Sequence, residues 1–162
     1  MSKSLKRILV TGANGFVGKN LCVKLNELGI EVIKFCRDDS VERLPDFLYD
    51  VDAVIHLAGE NRPKQVEDFV VGNTQLTEIL CEAIRQSSRN IPLLFTSSTQ
   101  ANIDNPYGKS KRAAEDVVKE LSKKTGNTCF IYRLPGIFGK WCKPNYNSVV
   151  ATFCHHIAHN EP

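Results

Sequence analysis

The segment Thr11-Gly12-Ala13-Asn14-Gly15-Phe16-Val17-Gly18 follows a short apolar run at 7–10 and leads into a helix-length stretch at 19–28. Its glycines at 12, 15 and 18 have the GxxGxxG spacing of a strand-to-helix turn. In such a turn the first glycine permits the reversal, the second lets backbone approach a pyrophosphate, and the third lets the helix lie close on the strand. The N–H groups and dipole of the helix N-terminus then bind an anion, with Asn14, Phe16 and Val17 in the same loop. Glycine-rich turns also arise for steric reasons alone, and the position after the first strand is what favours a ligand role.

Strand-length apolar runs and helix-length stretches alternate along the rest of the chain: 32–36 then 41–49, 53–57 then 74–86, 92–97 then 107–124, and 128–134. This order predicts an α/β fold, a parallel sheet with helices on both faces, doubly wound in three layers. Positions 37–50 have room for one helix and little more, so one edge strand of the architecture is expected to be missing. Gly29 and Gly126 suit helix ends, and Asn105-Pro106 suits the start of the helix at 107. The stretch 149–162 reads as a last helix, after a loop holding Trp141, Pro144 and Tyr146.

At 162 residues the chain suits one domain, 1–162. With 42% hydrophobic and 24% charged residues it is ordinary globular protein, and apolar runs such as 91–95 fall far short of a membrane span. The start, Met1-Ser2-Lys3-Ser4-Leu5-Lys6-Arg7, lacks the apolar core of a signal peptide, so a cytoplasmic protein is expected. Lys plus Arg number 21 against 18 Asp plus Glu, an excess spread along the chain, which argues against nucleic acid as a partner. The cysteines at 22, 36, 81, 129, 142 and 154 form no C-x-x-C pair and read as reduced thiols.

Tyr107-Gly108-Lys109-Ser110-Lys111 places a phenol and an ammonium four residues apart on one helical face. A phenol titrates near 10, so it becomes a useful proton donor when a nearby cation stabilises its anion, and Lys111 suits that task. Thr96-Ser97-Ser98 ends the strand before this helix, at the carboxyl edge where open α/β sheets bind ligands. Ser98 could orient a carbonyl oxygen while Tyr107 protonates it. A Tyr and Lys so spaced are commonplace on helices, and the glycine turn and the serine pair give this one its catalytic reading. At the end of the second strand Cys36 and Arg37 stand where an NAD-preferring turn carries an acid. A guanidinium there suits the 2′-phosphate of NADP, so NADPH is expected over NADH; the neighbouring Asp38 and Asp39 could instead pair with Arg37 or bind a ribose.

Together the glycine turn, His56-Leu57-Ala58-Gly59, Ser97-Ser98 and Tyr107-Gly108-Lys109-Ser110-Lys111 resemble the extended short-chain dehydrogenase/reductase superfamily, in its nucleotide-sugar epimerase/dehydratase branch. Residues 56–63 and 138–148 are similar to bifunctional capsular-polysaccharide enzymes of the UDP-N-acetyl-L-fucosamine pathway. The resemblance implies a Rossmann domain that reduces, with NADPH, the 4-keto group of a UDP-2-acetamido-2,6-dideoxy hexos-4-ulose. It implies Tyr107 as general acid, Lys111 as the residue that lowers its pKa and binds the nicotinamide ribose, and Ser98 as the carbonyl-orienting hydroxyl. Gly12, Gly15 and Gly18 would take the pyrophosphate, and Leu57, Ala58 and Gly59 would pass beneath the cofactor. Asn73 matches a family asparagine for which a structural role is as fitting as a catalytic one. On the substrate side stand Arg62, Lys143, Asn145 and Asn147, and Arg133, for which a ligand phosphate and a structural ion pair are equal readings.

The same resemblance implies that the chain stops before a substrate-binding lobe and lacks a C-terminal cupin domain. The rival reading is a dinucleotide-binding module without turnover, acting in cofactor sensing or protein interaction. A homodimer is left open. Cys154, His155, His156 and His159 lack a preceding ligand pair at metal spacing and read as a solvated helix, so no metal is expected.

Overall fold

A computed structural model describes residues 5–161. Positions 1–4, part of the stretch read above as lacking an export core, and Pro162, read as the end of the last helix, lie outside the described residues.

Five strands form one parallel sheet among the described residues: β1 (Arg7–Thr11), β2 (Glu31–Phe35), β3 (Ala53–His56), β4 (Leu93–Ser98) and β5 (Cys129–Leu134), in the order β2-β1-β3-β4-β5. Strand alternation sends neighbouring residues to opposite faces. Ile8 and Val10 of β1 meet Cys22 and Leu25 of α1 (Phe16–Glu27) on one face. On the other face Leu9 joins Val54, Leu93 and Phe95 under α2 (Leu44–Leu48), α3 (Leu76–Gln86) and α4 (Pro106–Thr125). The fold is therefore the expected doubly wound, three-layer sheet. Burying residues such as Leu80 and Ile84, each contributing roughly 1.5–3 kcal/mol relative to exposure, seals the larger layer.

Several boundaries differ from those read in the sequence. The helix expected from 19 begins at Phe16, because the glycine turn closes within a few residues. The expected helix 41–49 is a 3-10 turn (Val41–Arg43) followed by the short α2, with Pro45 in its first turn where a missing N–H costs nothing. The helix expected from 74 is entered earlier, through a π-helical turn (Val70–Gln75). The last helix, α5 (Val149–His159), stops at Asn160, whose φ of 53° is left-handed. No strand lies outside β2 among the described residues, in keeping with the short connection between β2 and β3.

Other signals hold. Asn105 caps α4 by accepting from Gly108 N at 2.7 Å, and Gly126 ends the helix at φ 75°. Register aligns Thr11 with Phe35 and His56, and His56 with Phe95, so the loops after β1, β2, β3 and β4 open along one edge. Because β2 lies on one side of β1 and β3 on the other, the crevice at that edge sits where the winding reverses.

Candidate active site

The turn after β1 is built so that only glycines fit its tightest points. Gly12 has φ 67°, and a Cβ there would lie 2.8 Å from Ala58 N. A Cβ on Gly18 would lie 2.7 Å from Ala13 Cα, so the third glycine serves helix–turn packing. No side chain caps Gly15 at the N-terminus of α1, and no acidic residue occupies the first turn. The helix end thus faces a cleft of about 1150 Å³ with its positive pole uncompensated. Asn14, Gly15, Phe16 and Val17 line that cleft together with Leu57, Ala58 and Gly59. This arrangement fits the pyrophosphate of a dinucleotide.

Arg37 lines the same cleft near the end of β2. Its side chain is 88% exposed and meets Glu60 at 3.2 Å. The aspartate beside it is already engaged, since Asp39 accepts from Cys36 N at 2.7 Å. An exposed ion pair of this kind contributes little, so a phosphate can displace Glu60 at small cost.

At the far end of the cleft β4 delivers Ser98, and α4 delivers Tyr107 and Lys111. The Ser98 hydroxyl stands close to the Tyr107 phenol, and its Oγ accepts from Gln100 N at 3.2 Å. Burial raises the Tyr107 phenol above its ordinary value and the Ser98 hydroxyl opposes that rise. Lys111 is 5% exposed; its Nζ donates to Thr96 O at 2.8 Å and lies 4.4 Å from the centre of the Phe95 ring. Burial pushes Lys111 down to about 8, with Glu115 opposing. Burial is thus the largest influence on the phenol, and the Lys111 ammonium is turned to the strand end.

A buried polar chain ties these two ends together. His56 is fully buried, its Nδ1 2.6 Å from Thr11 Oγ1 and its Nε2 3.0 Å from Thr77 Oγ1. Thr77 donates its only hydroxyl proton to Asn73 O at 2.6 Å, so it accepts from His56, which places the imidazole proton on Nε2. Thr11 then donates to Nδ1 and accepts from Ala58 N at 3.1 Å. Burial, reinforced by the Lys111 charge, pushes His56 down to about 3 and keeps it neutral. Asn73, 2% exposed, continues the chain: its side chain brackets Glu60 N and O and donates to Ser110 Oγ at 3.0 Å, and Ser110 donates to Tyr107 O.

Sequence reasoning passed over His56, Thr77 and Glu115 as site residues; polar types at positions 56, 77 and 115 within otherwise apolar stripes are the signal that marks them. Among the substrate-side candidates, Lys143 and Asn147 line the cleft. Arg62 lies instead 4.8 Å over the Tyr146 ring, and Asn145 bonds His156. Arg133 takes its structural reading, with Nε and Nη2 on Glu115 at 2.7 and 2.6 Å. The His155 and His159 rings stand 4.1 Å apart, and no group of three or more His, Cys, Asp or Glu suited to a metal occurs among the described residues. No described helix is long and apolar enough to cross a membrane.

Comparison with known proteins places this geometry among relatives. Residues 8–162 match the NAD dependent epimerase/dehydratase family. The chain is 56% identical over 157 residues to a UDP-2-acetamido-2,6-beta-L-arabino-hexul-4-ose reductase from Pseudomonas aeruginosa, covering 96% of this chain and 42% of that protein. It superposes on the capsular polysaccharide assembling protein CapF from Staphylococcus aureus with a TM-score of 0.82 and 44% identity, covering 96% of this chain and 42% of the other. A UDP-glucuronic acid 4-epimerase from Bacillus cereus, in complex with NAD, shares the fold at a TM-score of 0.83 and 20% identity, over 96% of this chain and 65% of the other. The chain thus spans less than half the length of the curated reductase it matches.

The His56 network sets a pH dependence. The folded-state pKa, about 3, lies below the unfolded value of about 6.5, so the unfolded chain binds a proton that the folded one refuses. Stability from this group is complete above pH 6.5 and falls by up to about 1.4 kcal/mol per unit as the pH drops below that value. Urea denaturation between pH 7 and pH 5 is expected to show this slope, and His56→Asn is expected to remove it.

Proposed function

The chain belongs to the NAD dependent epimerase/dehydratase family, and on that premise we propose that it is the NADPH-dependent reductase portion of a cytoplasmic enzyme acting on a UDP-4-keto-deoxysugar. The substrate class is a UDP-2-acetamido-2,6-dideoxy hexos-4-ulose, in agreement with the name of the 56% identical reductase. The observation that carries the reading is that Ser98, Tyr107 and Lys111 line the same cleft as the glycine turn.

NADPH, when bound, supplies the hydride to the sugar's carbonyl carbon. The protein's part is geometry and a proton. Ser98 holds the carbonyl oxygen, and Tyr107 gives its phenolic proton to that oxygen as it becomes an alkoxide. Lys111 supplies the positive charge that stabilises the resulting phenolate and binds the nicotinamide ribose; its Nζ is free to leave Thr96 O for a ribose hydroxyl at little cost, one hydrogen bond replacing another. The glycine turn and the α1 N-terminus take the pyrophosphate, and Lys143 and Asn147 stand in the cleft for the nucleotide-sugar. The preference for NADPH is carried by Arg37, released from Glu60 to hold the 2′-phosphate.

The test is oxidation of NADPH on addition of the keto-sugar, followed by nicotinamide absorbance alongside cofactor binding by fluorescence. Tyr107→Phe is expected to reduce turnover by at least 100-fold, of the order removed with a general acid, while NADPH affinity stays within about twofold; an active Tyr107→Phe protein contradicts the proton-donor role. Arg37→Ala is expected to weaken NADPH binding by roughly 10-fold or more and NADH binding hardly at all, since a charge-assisted contact of about 1.5–3 kcal/mol is lost only with the phosphate present. Equal losses for both cofactors remove the 2′-phosphate contact from the account.

A further inference from the structure

Beside the three working residues lies a buried carboxylate that the reductase reading does not use. Glu115 is 1% exposed and one turn beyond Lys111 on α4, so Tyr107, Lys111 and Glu115 form a single stripe. Its Oε1 accepts from Ser97 Oγ at 2.6 Å and from Arg133 Nε at 2.7 Å, and its Oε2 accepts from Arg133 Nη2 at 2.6 Å. Arg133 reaches on to Asn102 Oδ1 at 2.7 Å, which also accepts from Arg112 at 2.9 Å. One carboxylate thus joins α4, the end of β5, the turn after β4, and the residue that precedes Ser98. Arg133 keeps about a third of its side chain exposed while the carboxylate is sealed, so Glu115 depends on these partners to remain charged.

We propose that Glu115 is a positioning residue of the site: its bonds to Ser97 and Arg133 fix the strand end that carries Ser98, and its charge holds Lys111 as an ammonium. The proposal rests on the reading of Ser98, Tyr107 and Lys111 as the working set. Lys111 is faced by Glu115 from its own helix, by Thr96 O from β4 and by the neutral His56 from β3. Glu115 is faced by Arg133 from β5, Ser97 from β4 and Lys119 from α4 at 3.9 Å. Burial pushes Lys111 down to about 8 against the pull of Glu115. A neutral residue at 115 therefore leaves Lys111 deprotonated over more of the physiological range, and the phenolate of Tyr107 loses its cation.

The test reads Lys111 directly, by NMR titration of lysines labelled at Cε in the full chain, with Lys111→Arg identifying the resonance. Glu115→Gln keeps the side-chain size and removes the charge, and the Lys111 midpoint is expected to fall by about one unit. Arg133→Gln removes the cation and leaves the carboxylate, and the midpoint is expected to rise. A role in packing alone would admit water to Lys111 in both variants and raise both midpoints toward that of free lysine. A rise, or no movement, in Glu115→Gln overturns the proposal.

Should Glu115→Gln fail to fold, Arg133→Gln and Ser97→Ala carry the test. Ser97→Ala removes a hydrogen bond and no charge, so its midpoint is expected to stay in place while that of Arg133→Gln rises. Equal movement in the two overturns the proposal, because a loosened strand and not a charge would then be responsible. None of these titrations needs turnover. A chain that shows the Glu115 shift but leaves the keto-sugar unreduced contradicts the reductase reading and supports the electrostatic role.

Discussion

A neutral imidazole sealed from water joins the two halves of the cleft. His56 can satisfy both ring nitrogens only as the Nε2–H form, with Thr11 donating on one side and Thr77 accepting on the other. Through Thr11 it fixes Ala58 N in the lining of the cleft, and through Thr77 and Asn73 it reaches Ser110 near the start of α4. Each hydroxyl in this chain has one proton, so the direction of every bond is set once the first is set. A second ring proton, on Nδ1, would point at the Thr11 hydroxyl that donates there, and burial and the Lys111 charge both disfavour the charged ring. The pyrophosphate turn and the Tyr107 helix are thereby held in one frame, although 89 residues separate Gly18 from Tyr107 (107 minus 18).

The electrostatics of the cleft follow from the same frame. At one end the open N-terminus of α1 offers positive potential with no carboxylate in its first turn. At the other, burial pushes Lys111 down to about 8 while Glu115 acts in the opposite sense. On the β2 side of that helix end Arg37 meets Glu60 in an exposed pair that a phosphate can replace. The fixed charges thus suit an anionic ligand laid along the sheet edge, in the cleft that Ser98, Tyr107 and Lys111 also line.

Much of this frame is legible in the sequence because it rests on local chemistry. Three glycines at fixed spacing, a proline after a capping asparagine, and apolar runs of strand length each act within a few residues, and each recurs in the structure. The Tyr107 and Lys111 stripe is equally local, since helical geometry puts positions four apart on one face. What the sequence conceals depends on pairings between distant elements. Arg133 is 18 residues from Glu115 and 31 from Asn102, and only the folded sheet shows that it is committed to both. The π-helical turn at Val70–Gln75 carries no periodic signal, yet it delivers Asn73 to Glu60 and Ser110. For Lys111, helical spacing sets the face it shares with Tyr107, whereas the direction of Nζ is set by Thr96 O on another element.

The central claim, that Tyr107 and Ser98 hold a sugar carbonyl for hydride transfer in the same cleft as the pyrophosphate turn, is tested most directly by following the hydride itself. NADPH carrying deuterium at the transferable nicotinamide position is mixed with the protein and the UDP-4-keto-sugar, and the sugar product is analysed by mass spectrometry and NMR. The account predicts one deuterium at C4 of the reduced sugar. A reduced sugar without the label, or a protein saturated with NADPH that leaves the keto-sugar unchanged, contradicts it.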